Sequence, residues 1–181
     1  MTGEHRVFAL LALFVAALVS ERLIELTISA RHVRALPKTA REFGSAHFAL
    51  FVVLHTLYPL ALGWEILRLG ARPGPLWPAW LAGWACAQGL RGWSILSLGT
   101  SWNVRIWVVP GAERKRRGPY RWLRHPNYLA VAIELFTGSM LWGATRTALA
   151  FTALNAVALA IRIPAEDRAL AWAAAQPEPN R

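Results

Sequence analysis

The chain has 181 residues, 55% of them hydrophobic and 17% charged, with a mean hydropathy of +0.32; this suits one domain and is more apolar than an ordinary soluble one. Twenty Lys+Arg against ten Asp+Glu give a net charge of +10. The basic residues lie between apolar stretches, so they point to lipid headgroups and membrane topology and away from nucleic acid.

The first apolar run, Val7 to Ser20, has only Arg6 before it and no small-x-small cleavage site before Glu21, so it reads as a helix and not as a signal peptide. Apolar character resumes at Leu23, Ile24, Leu26 and Ile28, which predicts one helix from about Val7 to Ser29. Glu21, Arg22 and Glu25 then fall near its inner end and read as a polar clamp between helices. A second run, Phe43 to Leu67, carries His47 and His55 eight residues apart, with Glu65 near its end. Those histidines are satisfied interior residues, substrate contacts or, least in keeping with the rest, a metal pair. The third run, Leu76 to Leu98, contains Gln88 and Arg91, expected to pair with Glu65 or a backbone carbonyl. Two shorter runs, Tyr128 to Trp142 and Thr147 to Ile161, flank the polar turn from Gly143 to Thr147. A spanning helix needs about 20 residues, so these two predict a hairpin that thins or incompletely crosses the bilayer.

The expectation is an all-α, polytopic integral membrane protein of about five transmembrane helices. Its parts are an N-terminal three-helix region (1–98), a cytoplasmic cofactor-binding connector (99–127), a C-terminal hairpin with its catalytic tail (128–168) and a terminal tail (169–181). Arg22, Arg31, Arg34, Lys38 and Arg41 follow the first helix, seven basic residues lie between Gly99 and Asn127, and Arg162, Arg168 and Arg181 lie at the end. Only Arg6, Arg68, Arg72 and Arg146 fall on the other side, so five crossings put the N-terminus outside and the C-terminus in the cytoplasm. The arginine-rich, Ala- and Leu-rich composition suggests a bacterial source, hence the inner membrane.

The connector interleaves Trp102, Trp107, Tyr120 and Trp122 with its arginines, too aromatic for a spacer. Val108 to Pro110 predicts a short extended stretch, and Gly111 and Gly118-Pro119 mark turns. The run Arg114 to Arg117 reads mainly as positive-inside charge. The segment Arg124-His125-Pro126-Asn127-Tyr128 leads into the fourth helix, where Pro126 suits the first turn. Free N–H groups there favour an anion such as a cofactor carboxylate or phosphate. Past the hairpin, Arg162 and Glu166 are four apart and share a helical face. An i,i+4 salt bridge is the plain reading, but the hairpin returns these residues beside His125 and Tyr128, which marks an ionisable functional cluster. Pro164 is expected to bend or cap the fifth helix. One cysteine, Cys86, excludes an internal disulfide and a Cys-x-x-Cys site, and no set of metal ligands converges, so no metal is expected. No GxGxxG, P-loop or GxSxG is present.

The motifs Gly118-Pro119-Tyr120, Arg124-His125-Pro126-Asn127-Tyr128 and Arg162-x-x-x-Glu166 resemble those of the isoprenylcysteine carboxyl methyltransferase (ICMT) family, small membrane enzymes that use S-adenosylmethionine. The resemblance implies that Tyr120, Arg124, His125, Pro126, Asn127, Tyr128 and Glu166 bind the cofactor and that Arg162 faces the substrate's polar end. It makes Arg162 and Glu166 the catalytic pair. Departures are Ala130, where the family often has glycine, and Trp107-Val108, where a polar cofactor contact is expected. Further upstream, Glu21-Arg22-x-x-Glu25-Leu26, Ser29-x-Arg31, Glu42-x-Gly44-x-x-His47-Phe48 and Leu54-His55 resemble a bacterial branch that includes O-methyltransferases of alkylpyrones and alkylresorcinols. That implies a lipophilic acceptor, with His55 as a further substrate contact, and membrane lipids as the surroundings. Membrane sterol-type reductases carry a similar Arg-His-Pro-Asn-Tyr segment, so an NADPH-dependent reductase is the alternative, followed by a non-enzymatic membrane scaffold. No motif specifies the acceptor head group or the oligomeric state.

Overall fold

In the computed structural model, residues 3–177 are described, and Arg181 of the basic tail lies outside them. The helices are α1 (Gly3–Arg34), α2 (Ser45–Arg68), α3 (Trp77–Leu98), α4 (Pro126–Leu141) and α5 (Thr145–Ala174). Three of them, α1, α2 and α5, are long and apolar enough to cross a membrane. The chain is not purely α-helical: β1 (Arg41–Phe43) and β2 (Ile106–Val108) pair antiparallel, with Arg41 opposite Val108 and Phe43 opposite Ile106.

This small sheet fixes the ends of the bundle. β1 follows α1 and β2 follows α3, so their pairing brings both connections to one end. The last turns of α5 reach the same end, where Ala169 and Ala173 bury against Ile106 and Val108, and the Gly111 N–H donates to the Ala173 carbonyl at 2.8 Å. At the opposite end Glu65 of α2 accepts from the Thr147 N–H at 2.7 Å, the Thr147 hydroxyl at 2.6 Å and the Arg146 N–H at 3.0 Å. A carboxylate there satisfies first-turn donors of α5 and complements the helix dipole. Gly143 turns the chain from α4 into α5 at φ +70°, and a Cβ there would sit 2.0 Å from the Arg72 carbonyl oxygen, so only glycine fits. The five helices therefore alternate direction. Glu65→Ala should lower stability by about 1–3 kcal/mol, because the buried Thr147 donors lose their partner; the thermal midpoint in detergent reads this directly.

Several sequence expectations change. α1 runs on to Arg34, so Glu21, Arg22 and Glu25 sit well inside the helix and not near its end. The fifth helix is not short: at 30 residues it spans about 45 Å and continues through Pro164. Proline costs that helix one hydrogen bond, but the packing of Ala169 and Ala173 on β2 holds the segment beyond it helical. Only α4 stays short, its 16 residues spanning about 24 Å.

The clamp is built from three helices. Arg91 of α3 bonds Glu25 through both Nε and Nη2 (Nη2 at 2.6 Å), and bonds Glu134 of α4 at 2.8 Å. Arg22 joins them, reaching Glu134 at 2.6 Å and Glu25 at 2.9 Å. Arg91 therefore does not pair with Glu65, because α2 carries Glu65 to the opposite end of the bundle. Arg22, counted above with the basic side, belongs to this interior network. Around it the core packs tightly: Gly138 of α4 lets the Tyr58 hydroxyl, Trp84 and Phe14 close in from α2, α3 and α1.

Candidate active site

His125 sits at the N-cap of α4, with Pro126 as the first helical residue. The Tyr128 and Leu129 N–H groups both turn back to the His125 carbonyl, at 3.1 and 3.3 Å, and proline has none. The anion site expected from several free N–H groups thus reduces to that of Asn127.

Since α4 leaves this end of the bundle and α5 returns to it, Arg162 and Glu166 arrive beside His125 and Tyr128. The Tyr128 hydroxyl donates to Glu166 Oε2 and accepts from Arg162 Nε at 2.7 Å. Arg162 and Glu166 do not form the plain i,i+4 salt bridge; the phenol stands between them. Arg162 Nη2 donates to the Val104 carbonyl at 2.7 Å, and the guanidinium lies 5.1 Å from the Phe51 ring centre. Among the described residues its Nη1 has no hydrogen-bond partner. His125 stacks on Tyr128, with centroids 5.3 Å apart and planes at 12°. Its Nδ1 lies 3.8 Å from Glu166 Oε1 and its Nε2 lies 3.2 Å from Asp167 Oδ1.

Two residues were not singled out for the site from sequence. Asp167 accepts from Arg114 at 3.1 Å, and Arg114 also donates to the Arg124 carbonyl at 2.7 Å. Arg114 therefore belongs to the site's wall and not merely to a basic run; its signal was the acidic pair Glu166-Asp167, which needs more than one cation. The Arg124 side chain itself is exposed at the rim. Tyr120 also lines the cavity, and burial together with the Glu166 carboxylate holds its phenol above the ordinary range.

Of these groups Arg114, Tyr120, Arg124, His125, Tyr128, Arg162 and Glu166, but not Asp167, line the polar mouth of a cavity of about 680 Å³. Asn103 and Trp107 of the connector and Asn127 of α4 face it, and Asn103 Nδ2, Trp107 Nε1 and Asn127 Oδ1 are buried without a partner among the described residues. Trp107 thus supplies a polar atom in the stretch where the sequence offered none, while Ala130 is fully buried in α4. From the mouth the cavity continues between α1 and α2, past Val15, Leu18 and Val19 on one side and Phe51, Val52 and Leu60 on the other. His55 lies in this inner part, about one turn from Phe51, with its Nδ1 bonded to the Phe51 carbonyl at 2.8 Å. It is thereby set apart from the His125 cluster. His47 does not line the cavity.

Apolar helices, a polar cluster at one end and a cavity behind it are the makings of a membrane protein that binds an amphiphile. Residues 80–172 match the isoprenylcysteine carboxyl methyltransferase (ICMT) family, and the chain belongs to it. It is 37% identical over 159 residues to the uncharacterized protein YpbQ of Bacillus subtilis, covering 87% of this chain and 95% of that one. An uncharacterized protein of Haemophilus influenzae is 29% identical over 157 residues, covering 86% and 91%. No solved structure matches the chain. Family membership and the apolar helices together make this an integral membrane protein.

Proposed function

We propose that the protein transfers a methyl group from S-adenosylmethionine to an oxygen of a lipophilic acceptor: a carboxylate, an enol or a phenol. The observation that carries this reading is the shared Tyr128 hydroxyl, which ties Arg162 to Glu166 in a cavity whose lining is mostly apolar. The unpartnered atoms suit the donor. Asn103 Nδ2 and Trp107 Nε1 donate, Asn127 Oδ1 accepts, and Glu166 matches a cationic amino end.

S-adenosylmethionine supplies the methyl group, whose bond to sulfur breaks, leaving its electron pair on sulfur, as a bond to the acceptor oxygen forms. The protein's part is positioning and charge. Tyr120, Arg124, His125, Pro126, Asn127, Tyr128 and Glu166 form the donor's side. Arg162 presents Nη1 to the acceptor's anionic oxygen, while its other nitrogens are held by Tyr128 and Val104. A carboxylate or an acidic enol needs no base. For a phenol, Glu166 takes the proton, because His55 stands deeper in the cavity. The acceptor's tail reaches the cavity from the bilayer between α1 and α2. Alkylpyrones and alkylresorcinols are acceptors of this kind.

All five helices cross the membrane in this reading, with the N-terminus outside and the C-terminus in the cytoplasm of a bacterial inner membrane. α3 and α4 cross packed against one another, with Arg91 and Glu134 neutralising each other between them. Calorimetry with S-adenosylhomocysteine and with NADPH tests the donor. Binding of the first alone is expected, weakened at least tenfold by His125→Ala; binding of NADPH alone would establish the reductase alternative.

A further inference from the structure

The inner cavity is lined by the Arg22–Glu25–Arg91–Glu134 clamp, whose charges pair with one another, and by two further polar residues that have no partner. Asn155 of α5 is 1% exposed, and neither its Oδ1 nor its Nδ2 has a partner among the described residues. His55 Nε2 is likewise buried and unpartnered, and both residues line the cavity. The packing of α2 on α5 sets them level with one another. Tyr58 meets Phe151 with ring centres 5.5 Å apart, and the helices run antiparallel. Three residues back from Tyr58 and four on from Phe151 bring His55 and Asn155 to one level, within about one residue's rise. Buried amides are nearly always hydrogen-bonded, so an unpaired one aimed into a cavity marks a place for a ligand group.

The protonation pattern says which group. His55 Nδ1 donates to the Phe51 carbonyl, which leaves Nε2 as an acceptor. Asn155 offers a donor and a second acceptor. A carbonyl would satisfy Asn155 and leave His55 unpaired; a hydroxyl satisfies both. Asn155 lies seven residues from Arg162 along α5, roughly 10 Å deeper.

We infer that His55 and Asn155 form a second recognition point, which binds a hydroxyl carried on the acceptor's chain roughly 10 Å from the oxygen held at Arg162. The inference rests on the acceptor being an amphiphile lying along this cavity, as proposed above. It makes the natural acceptor bifunctional, so the reaction that supplies it leaves or installs a chain hydroxyl. Asn155 becomes a specificity residue, unneeded for methyl transfer to a plain chain.

The test uses the full-length protein in nanodiscs and 5-alkylresorcinols of equal length, unsubstituted or with one hydroxyl stepped along the chain. Binding is read as thermal stabilisation, and transfer with labelled S-adenosylmethionine. The expected result is about tenfold tighter binding of the isomer whose hydroxyl lies near 10 Å, with the advantage abolished by Asn155→Leu and by His55→Phe. Without ligand, Asn155→Leu should raise the thermal midpoint, since it removes two unpaired polar atoms. Equal binding across the series, a preference that survives both variants, or a lower midpoint for ligand-free Asn155→Leu would each overturn the inference. Position-dependent binding without any transfer would support it while removing the methyltransferase reading, so the two fail separately.

Discussion

Arg91→Leu is expected to destabilise the protein more than any other single change. Arg91 is 5% exposed and holds Glu25 and Glu134 directly, with Glu21 at 3.2 Å. Without it, Arg22 alone faces three carboxylates inside the helix bundle. Removing one partner of a buried ionic network typically costs about 3–5 kcal/mol, because the charges left behind have neither water nor a counter-ion. The variant should therefore purify in low yield and melt well below wild type in detergent. Because the groups share a network, adding Glu134→Gln should recover part of the loss where two independent sites would simply add. A wild-type melting curve for Arg91→Leu would show that the clamp does not hold the helices.

Arg162→Ala is expected to slow methyl transfer strongly while leaving donor binding. Its guanidinium is held by Tyr128 and Val104 and stacked near Phe51, so the side chain is pre-set and its loss should not be made good by a neighbour. A charge-assisted hydrogen bond to the acceptor is worth about 1.5–3 kcal/mol, which predicts a fall in kcat/KM of roughly 10- to 150-fold. S-adenosylhomocysteine affinity should change less than about threefold, since the proposed arrangement puts that ligand on the His125 side of Tyr128. Arg162→Lys should recover only part of the rate, because a point charge cannot serve Tyr128, Val104 and an acceptor oxygen together. Unchanged transfer by Arg162→Ala would remove this residue from the acceptor site.

The neighbourhood of His125, Tyr128, Arg162 and Glu166 was legible because it depends on local facts: a His-Pro pair at a helix start, an i,i+4 spacing just past the last apolar run, and a short connection between the two helices. The roles of Arg114 and Asp167 were not, since each is explained by a partner about fifty positions away. Arg91 was assigned the wrong carboxylate for a related reason. Composition reveals that an arginine inside an apolar helix needs counter-charges, but Glu25, Glu65 and Glu134 all qualify until the helix order at each end is known.

The sequence by itself determined the helical, apolar character of the chain, its basic asymmetry and the two clusters that face one another across the last hairpin. Hydropathy and 3.6-residue periodicity act over one helix at a time, and a hairpin is the shortest step between two. Only the tertiary structure decided the length of α5, the β1–β2 pairing that joins the two connections, the three-helix clamp and the level at which His55 meets Asn155. Each of these depends on contacts between segments far apart in the chain, where shape and unpaired polar atoms choose the partner and local propensity does not.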